Sequence, residues 1–145
     1  MDPIEMRSRG SEILEPVLAP HRFVFEAGEV GNGSGGSFAQ GGFVRGNRRL
    51  EFSTRHSLGL VEYRVGSRAI GHEDYMRIVV GRGNHAYPGF SEDPLDGFRH
   101  LASDLQRFAS VFLDGTDQEF EAIVAQAQST RPKSGFSSLT NLRAS

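Results

Sequence analysis

Residues 43–65 read FVRGNRRLEFSTRHSLGLVEYRV, and the way this stretch pairs with itself decides the fold. Gly46-Asn47 is a two-residue hairpin signal. Closing the chain there sets Phe43 opposite Leu50 and Gly41 opposite Phe52. A second reversal around Ser57-Leu58 sets Leu50 opposite Val65, Phe52 opposite Tyr63 and Thr54 opposite Val61. The same register puts Glu51 opposite Arg64 and Ser53 opposite Glu62. One face is then apolar and the other polar, with an opposite-charge pair across the strands. A slip of one residue sends every apolar side chain to the wrong face. An antiparallel meander with one covered face and one wet face follows.

Upstream, His21 to Ala27 reads as a further strand, with Phe23 and Phe25 on one face and Val24 on the other. The expected sheet has four strands. Phe38 falls on the face opposite Phe43, a conflict that a bulge at Gly41-Gly42 would repair. Residues 28–46 hold 8 of the 18 glycines, and Gly31–Gly36 has the composition of a mobile hairpin loop. A phosphate-binding loop would need Lys-Ser or Lys-Thr after its last glycine, but the only lysine is Lys133. In residues 1–20, Pro16 interrupts the short stripe of Ile13, Leu14, Val17 and Leu18, and Pro20 closes it. A loosely held arm is expected there.

Downstream, His72-Glu73-Asp74 carries acids where a helix dipole favours them, and a short helix is expected over 72–80, with Tyr75, Ile78 and Val79 on one face. Arg82 to Ser91 reads as a loop. Asp93 then caps a helix with Pro94 at its first position. Its stripe is Leu95, Phe98, Leu101, Leu105, Phe108 and Phe112. Asp114-Gly115 stops it. Thr116 and Glu119 form a capping box for a second helix carrying Phe120, Ile123, Val124 and Ala127. The expected fold class is α+β: a four-stranded antiparallel meander, a short helix, and a C-terminal helical hairpin packed on one face.

Composition sets the outer bounds. The 145 residues suit one domain, placed at 21–129, with the arm before it and a flexible tail over 130–145. Hydrophobic residues make up 37%, enough for a core and too many for a disordered chain. No apolar run approaches the roughly 18 residues of a membrane span. The absence of cysteine excludes disulfides, thiolate metal sites and cysteine nucleophiles. With no basic-then-apolar leader at the amino terminus, a cytoplasmic location is expected.

No catalytic motif survives inspection. His72-Glu73 resembles the start of a zinc-protease helix, but Met76 stands where the second histidine must be. Gly81-Arg-Gly83 partly matches a dinucleotide fingerprint, yet Tyr87-Pro88-Gly89 follows instead of a helix. No glycine-flanked serine elbow occurs. Arg55 and His56, with Tyr63 across the hairpin, form a possible polar site at the sheet end. No cofactor and no metal are expected.

Charge is uneven. Residues 45–89 carry a net +4 and residues 90–128 a net −6. Arg45, Arg48, Arg49 and Arg55 cluster near Phe43 and Phe52, as single-stranded nucleic acid would require. The register turns those phenylalanines inward, however, and the acidic hairpin repels phosphate. The residues that point to a binding function are the loop aromatics and histidine His85, Tyr87 and Phe90, and the helical acids Asp96, Asp104, Asp117 and Glu121. The expected function is a small protein-binding module of the inhibitor or immunity type, with another protein as partner. The alternatives are a small enzyme or small-molecule binder with a site between sheet and helices, and a nucleic-acid accessory protein.

Overall fold

A computed structural model describes residues 1–33, 36–81 and 92–130. A helix α1 (Pro3–Leu18) and one 3-10 turn (Ala19–His21) precede five strands: β1 (Val24–Gly33), β2 (Gly36–Arg45), β3 (Arg48–Thr54), β4 (Leu58–Val65) and β5 (Arg68–Gly71). Four helices follow: α2 (His72–Val79), α3 (Asp96–Phe108), α4 (Ser110–Asp114) and α5 (Asp117–Thr130). The strands pair antiparallel in sequence order, so the class is α+β with a five-stranded meander. The fifth strand, β5, adds to the four expected. It is a short return after Gly66, whose φ of 59° suits a tight turn open to glycine. No helix among the described residues is long and apolar enough to cross a membrane.

The β2–β3 pairing is the expected one, with Phe43 opposite Leu50 and Gly41 opposite Phe52 around Gly46-Asn47. The β3–β4 register differs by two residues. Leu50 faces Tyr63, Phe52 faces Val61 and Glu51 faces Glu62, because the chain reverses within Arg55-His56-Ser57 and a bulge lies between Phe52 and Thr54. A two-residue slip keeps every side chain on its expected face, since the period is two. The one bulge on β1 falls between Ala27 and Val30, not at Gly41-Gly42. Phe38 accordingly stays on the outer face, half-buried beneath Arg55. Gly31–Gly33 and Gly36 are strand residues, paired down to Gly33 opposite Gly36.

Residues 1–20 are not a loose arm. Asp2 caps α1 by accepting from the Glu5 N–H at 2.7 Å, and Pro3 opens it. Met6, Leu14 and Leu18 are buried in the core, and Pro16 is carried inside the helix. Arg7 ties α1 to the sheet by donating to the Gln40 carbonyl at 3.0 Å.

The long downstream helix is broken at Ala109 into α3 and α4. Asp93 binds the Leu95 N–H at 2.9 Å, one turn before α3 begins. Phe98, Leu101, Leu105 and Phe112 are buried as expected, while Phe108 is only half-buried, with Arg107 over its ring. The capping box forms reciprocally: Glu119 N–H to Thr116 Oγ1 at 3.1 Å and Thr116 N–H to Glu119 Oε1 at 2.8 Å. In α2 the buried face is His72, Tyr75 and Met76, whereas Val79 is exposed. The core fills the space between the inner sheet face and the helices with edge-on and tilted aromatic pairs. The tail beyond Thr130 lies outside the described residues.

Candidate functional site

Because Phe43, Leu50, Phe52, Val61, Tyr63 and Val65 turn inward, alternation puts Gln40, Glu51, Ser53, Leu60, Glu62 and Arg64 on the face away from the helices. That outer face carries three adjoining clefts. The first, about 360 Å³, crosses β2 to β5 and includes Gln40, Ser53, Leu60, Glu51, Glu62 and Arg64. The second, about 520 Å³, lies toward the β3–β4 turn and includes Phe38, Arg55 and His56. The third, about 230 Å³, lies where β5 passes into α2 and includes Gly59, Gly71, Glu73 and Asp74. Leu60 lines all three and is 85% exposed.

The charges on this face are mostly matched within it. Arg64 bridges Glu51 at 3.4 Å and Glu62 at 2.9 Å, relieving two carboxylates that sit directly opposite each other on neighbouring strands. Arg49 holds Glu26 at 2.9 Å. All these groups are well exposed, so each pair is worth at most about 1 kcal/mol.

The inner face holds a different constellation. The Tyr63 hydroxyl lies 2.6 Å from His72 Nδ1, and His72 Nε2 lies 2.9 Å from Asp104 Oδ2. With Nε2 donating to the carboxylate, Nδ1 accepts from the tyrosine. This carboxylate–imidazole–hydroxyl order is that of an activated nucleophile. Here Tyr63 is fully buried and His72 is 6% exposed, and the chain of bonds ties β4, α2 and α3 together. Tyr75 is buried nearby, and desolvation pushes its phenol above the ordinary range, against a smaller pull from the Phe112 N–H.

His85, Tyr87 and Phe90 lie outside the described residues. The four helical acids are not assembled into one patch. Asp96 pairs with Arg99 at 2.6 Å, Asp104 turns in to His72, Asp117 meets Arg48 at 3.1 Å and Asn47 at 3.0 Å, and Glu121 lies 3.9 Å from Arg68. The polar site of Arg55, His56 and Tyr63 does not form, because Tyr63 points to the opposite face. The arginine cluster is also divided: Arg48 is buried against α4 and Arg45 stacks on Phe23, while Arg49 is on the outer face and Arg55 at its edge. Among the described residues no group of three His, Asp or Glu could hold a metal ion. Leu60 was the residue the sequence reading passed over. The signal was present, since Val61, Tyr63 and Val65 inward require an outward Leu60.

No protein-family model, no curated protein and no solved structure matches this chain.

Proposed function

We propose that the chain is a protein-binding module, of the kind an inhibitor or immunity protein represents, and that it holds an extended segment of its partner along β3 and β4 on the open sheet face. The observation that carries this reading is Leu60, 85% exposed at the meeting point of three clefts. Covering such a side chain is worth about 1.5–3 kcal/mol. The trough runs from the Thr54–Leu58 pair to the Glu51–Glu62 pair, about four residues of strand, and at about 3.3 Å per residue it suits a segment of roughly four to six residues. Flanking Gln40, Ser53 and the carboxylates offer a polar rim around an apolar centre, as binding surfaces do.

The alternative of a ligand site between sheet and helices has less support, because aromatic side chains fill that space and no buried side-chain polar atom among the described residues lacks a partner. A nucleic-acid reading has less support again, with Arg45 and Arg48 turned inward. The test is a photoreactive residue placed at Leu60 in cells of the source organism, with Gln106 on the exposed side of α3 as the control position. A discrete protein adduct from position 60 and not from 106 is expected. No adduct, or the same adducts from both positions, overturns the reading.

A further inference from the structure

We infer that the cleft at the Arg55 end of the open face is a carboxylate-recognition pocket, which receives an acidic side chain or terminal carboxylate of the partner segment; in naming that source it rests on the protein-binding reading above. Most arginines of the sheet meet an acid: Arg48 meets Asp117, Arg49 meets Glu26, Arg64 meets Glu51 and Glu62, and Arg68 approaches Glu121. Arg55 meets none among the described residues. Yet it is held in place. Its Nη1 donates to the Gly36 carbonyl at 2.7 Å, and its guanidinium carbon sits 5.5 Å from the centroid of the Phe38 ring.

A side chain fixed on two sides has already lost much of the rotamer freedom that binding would otherwise cost. The guanidinium carries five N–H donors in a planar fork that matches a carboxylate, and only one donor is engaged. The cleft is lined by Gln40, Ser53 and His56 as well, all able to donate a hydrogen bond, and among the described residues by no aspartate or glutamate. In a chain with net charge −2, an arginine pocket free of acids is a local reversal of sign. The other end of the trough carries Glu73 and Asp74. The trough is therefore polar along its length, and a segment lies in it with its acidic end at Arg55. Gly59 keeps the pocket open: a Cβ there would come within 2.8 Å of Ser53 Oγ.

The test is a titration of the ¹⁵N-labelled full chain with three probes: N-acetyl-aspartyl-N-methylamide, its asparaginyl analogue, and inorganic phosphate. Saturable amide shifts confined to residues 53–60 are expected with the aspartyl compound, at least tenfold weaker binding with the asparaginyl one, and no tighter binding of phosphate. R55Q should abolish the saturable shifts, whereas R49Q, the same charge change on the same face, should leave them intact. The amide spectrum of R55Q reports at once whether the fold is kept. Should R55Q lose the fold, Gly59→Ala, which crowds Ser53 without touching the guanidinium, must weaken the aspartyl compound instead. Shifts that do not saturate, survive R55Q or disappear equally in R49Q overturn the pocket, and so does phosphate binding tighter than the aspartyl compound. The two readings fail separately: carboxylate binding without a Leu60 adduct sinks the protein partner, and a Leu60 adduct without carboxylate binding sinks the pocket.

Discussion

The guanidinium of Arg48 lies 3.1 Å from the carboxylate of Asp117, and its other donors close on the carbonyls of Val111, Phe112 and Gly115, where α4 ends. An arginine at the start of β3 thus satisfies the Phe112 and Gly115 carbonyls at a helix terminus and shares that of Val111, which also accepts from the Gly115 N–H. The sheet and the helical layer are pinned together at that point.

The two partners should be unequal under mutation. Arg48 is buried, so Arg48→Ala takes the side-chain donor from the Phe112 and Gly115 carbonyls and should cost about 3 kcal/mol or more. The Asp117 side chain is 56% exposed, so Asp117→Asn should cost less than about 1 kcal/mol. Urea midpoints of the two variants check this. Equal losses would mean that the ion pair, and not the carbonyl contacts, carries the arginine's contribution.

The Tyr63–His72–Asp104 chain should behave as one unit. Tyr63→Phe removes the donor to a buried ring nitrogen, and Asp104→Asn removes the anion on the other side. Each should cost about 1–3 kcal/mol. Because both act through His72, the double variant should lose less than the two single losses combined, with a coupling of about 0.5 kcal/mol or more. A double-mutant cycle by denaturant unfolding measures it, and strict additivity would show the two bonds to be independent.

Tyr75 makes a prediction in pH. Burial raises its pKa above the ordinary value near 10. The unfolded chain then ionises first as pH rises. The stability linked to this phenol is fully present below about pH 10 and is lost progressively above it, at up to about 1.4 kcal/mol per pH unit. Tyr75→Phe should show a shallower alkaline decline than the parent in urea titrations from pH 9 to 12. Parallel curves would mean that Tyr75 ionises as easily folded as unfolded.

The sheet, α2 and the capping box of α5 were legible because each rests on near neighbours in sequence. Thr116 and Glu119 are three apart, and the Gly46-Asn47 turn fixes its own register. The β3–β4 register was not legible, since a shift of two leaves the alternation unchanged and only the three-residue turn distinguishes the pairings. Of the site, Arg55 and His56 were visible as a polar pair at the sheet end, but the misplaced register joined them to Tyr63. Leu60 was readable from alternation alone. Phe108 fitted the stripe by spacing, yet the break at Ala109 lets it turn half outward. The acids of α3 and α5 looked like a surface patch because their partners, Arg48, Arg68 and His72, are distant in sequence.

Helix α1 shows the same limit most clearly, and it yields a test. Pro16 reads locally as a helix breaker, yet the helix runs through it, and Gly10 in the same helix has a tertiary role. A Cβ built there would lie 2.3 Å from Cζ of Phe98, whose ring packs against the glycine where α1 meets α3. In an isolated helix Gly→Ala stabilises by about 0.8–1 kcal/mol. Here the methyl meets a fully buried ring, which also packs edge-on against Phe52 at 5.4 Å between centroids and has little room to retreat. Overpacking of this kind costs about 1–3 kcal/mol. Gly10→Ala should therefore destabilise by about 1 kcal/mol net. Phe98→Leu should cost about 1–3 kcal/mol alone and should absorb most of the Gly10→Ala penalty when the two are combined, because the shorter side chain leaves space for the methyl. Thermal or urea unfolding of the three variants decides between the helix-propensity gain and the clash. A stabilised Gly10→Ala would mean that α1 does not press on Phe98.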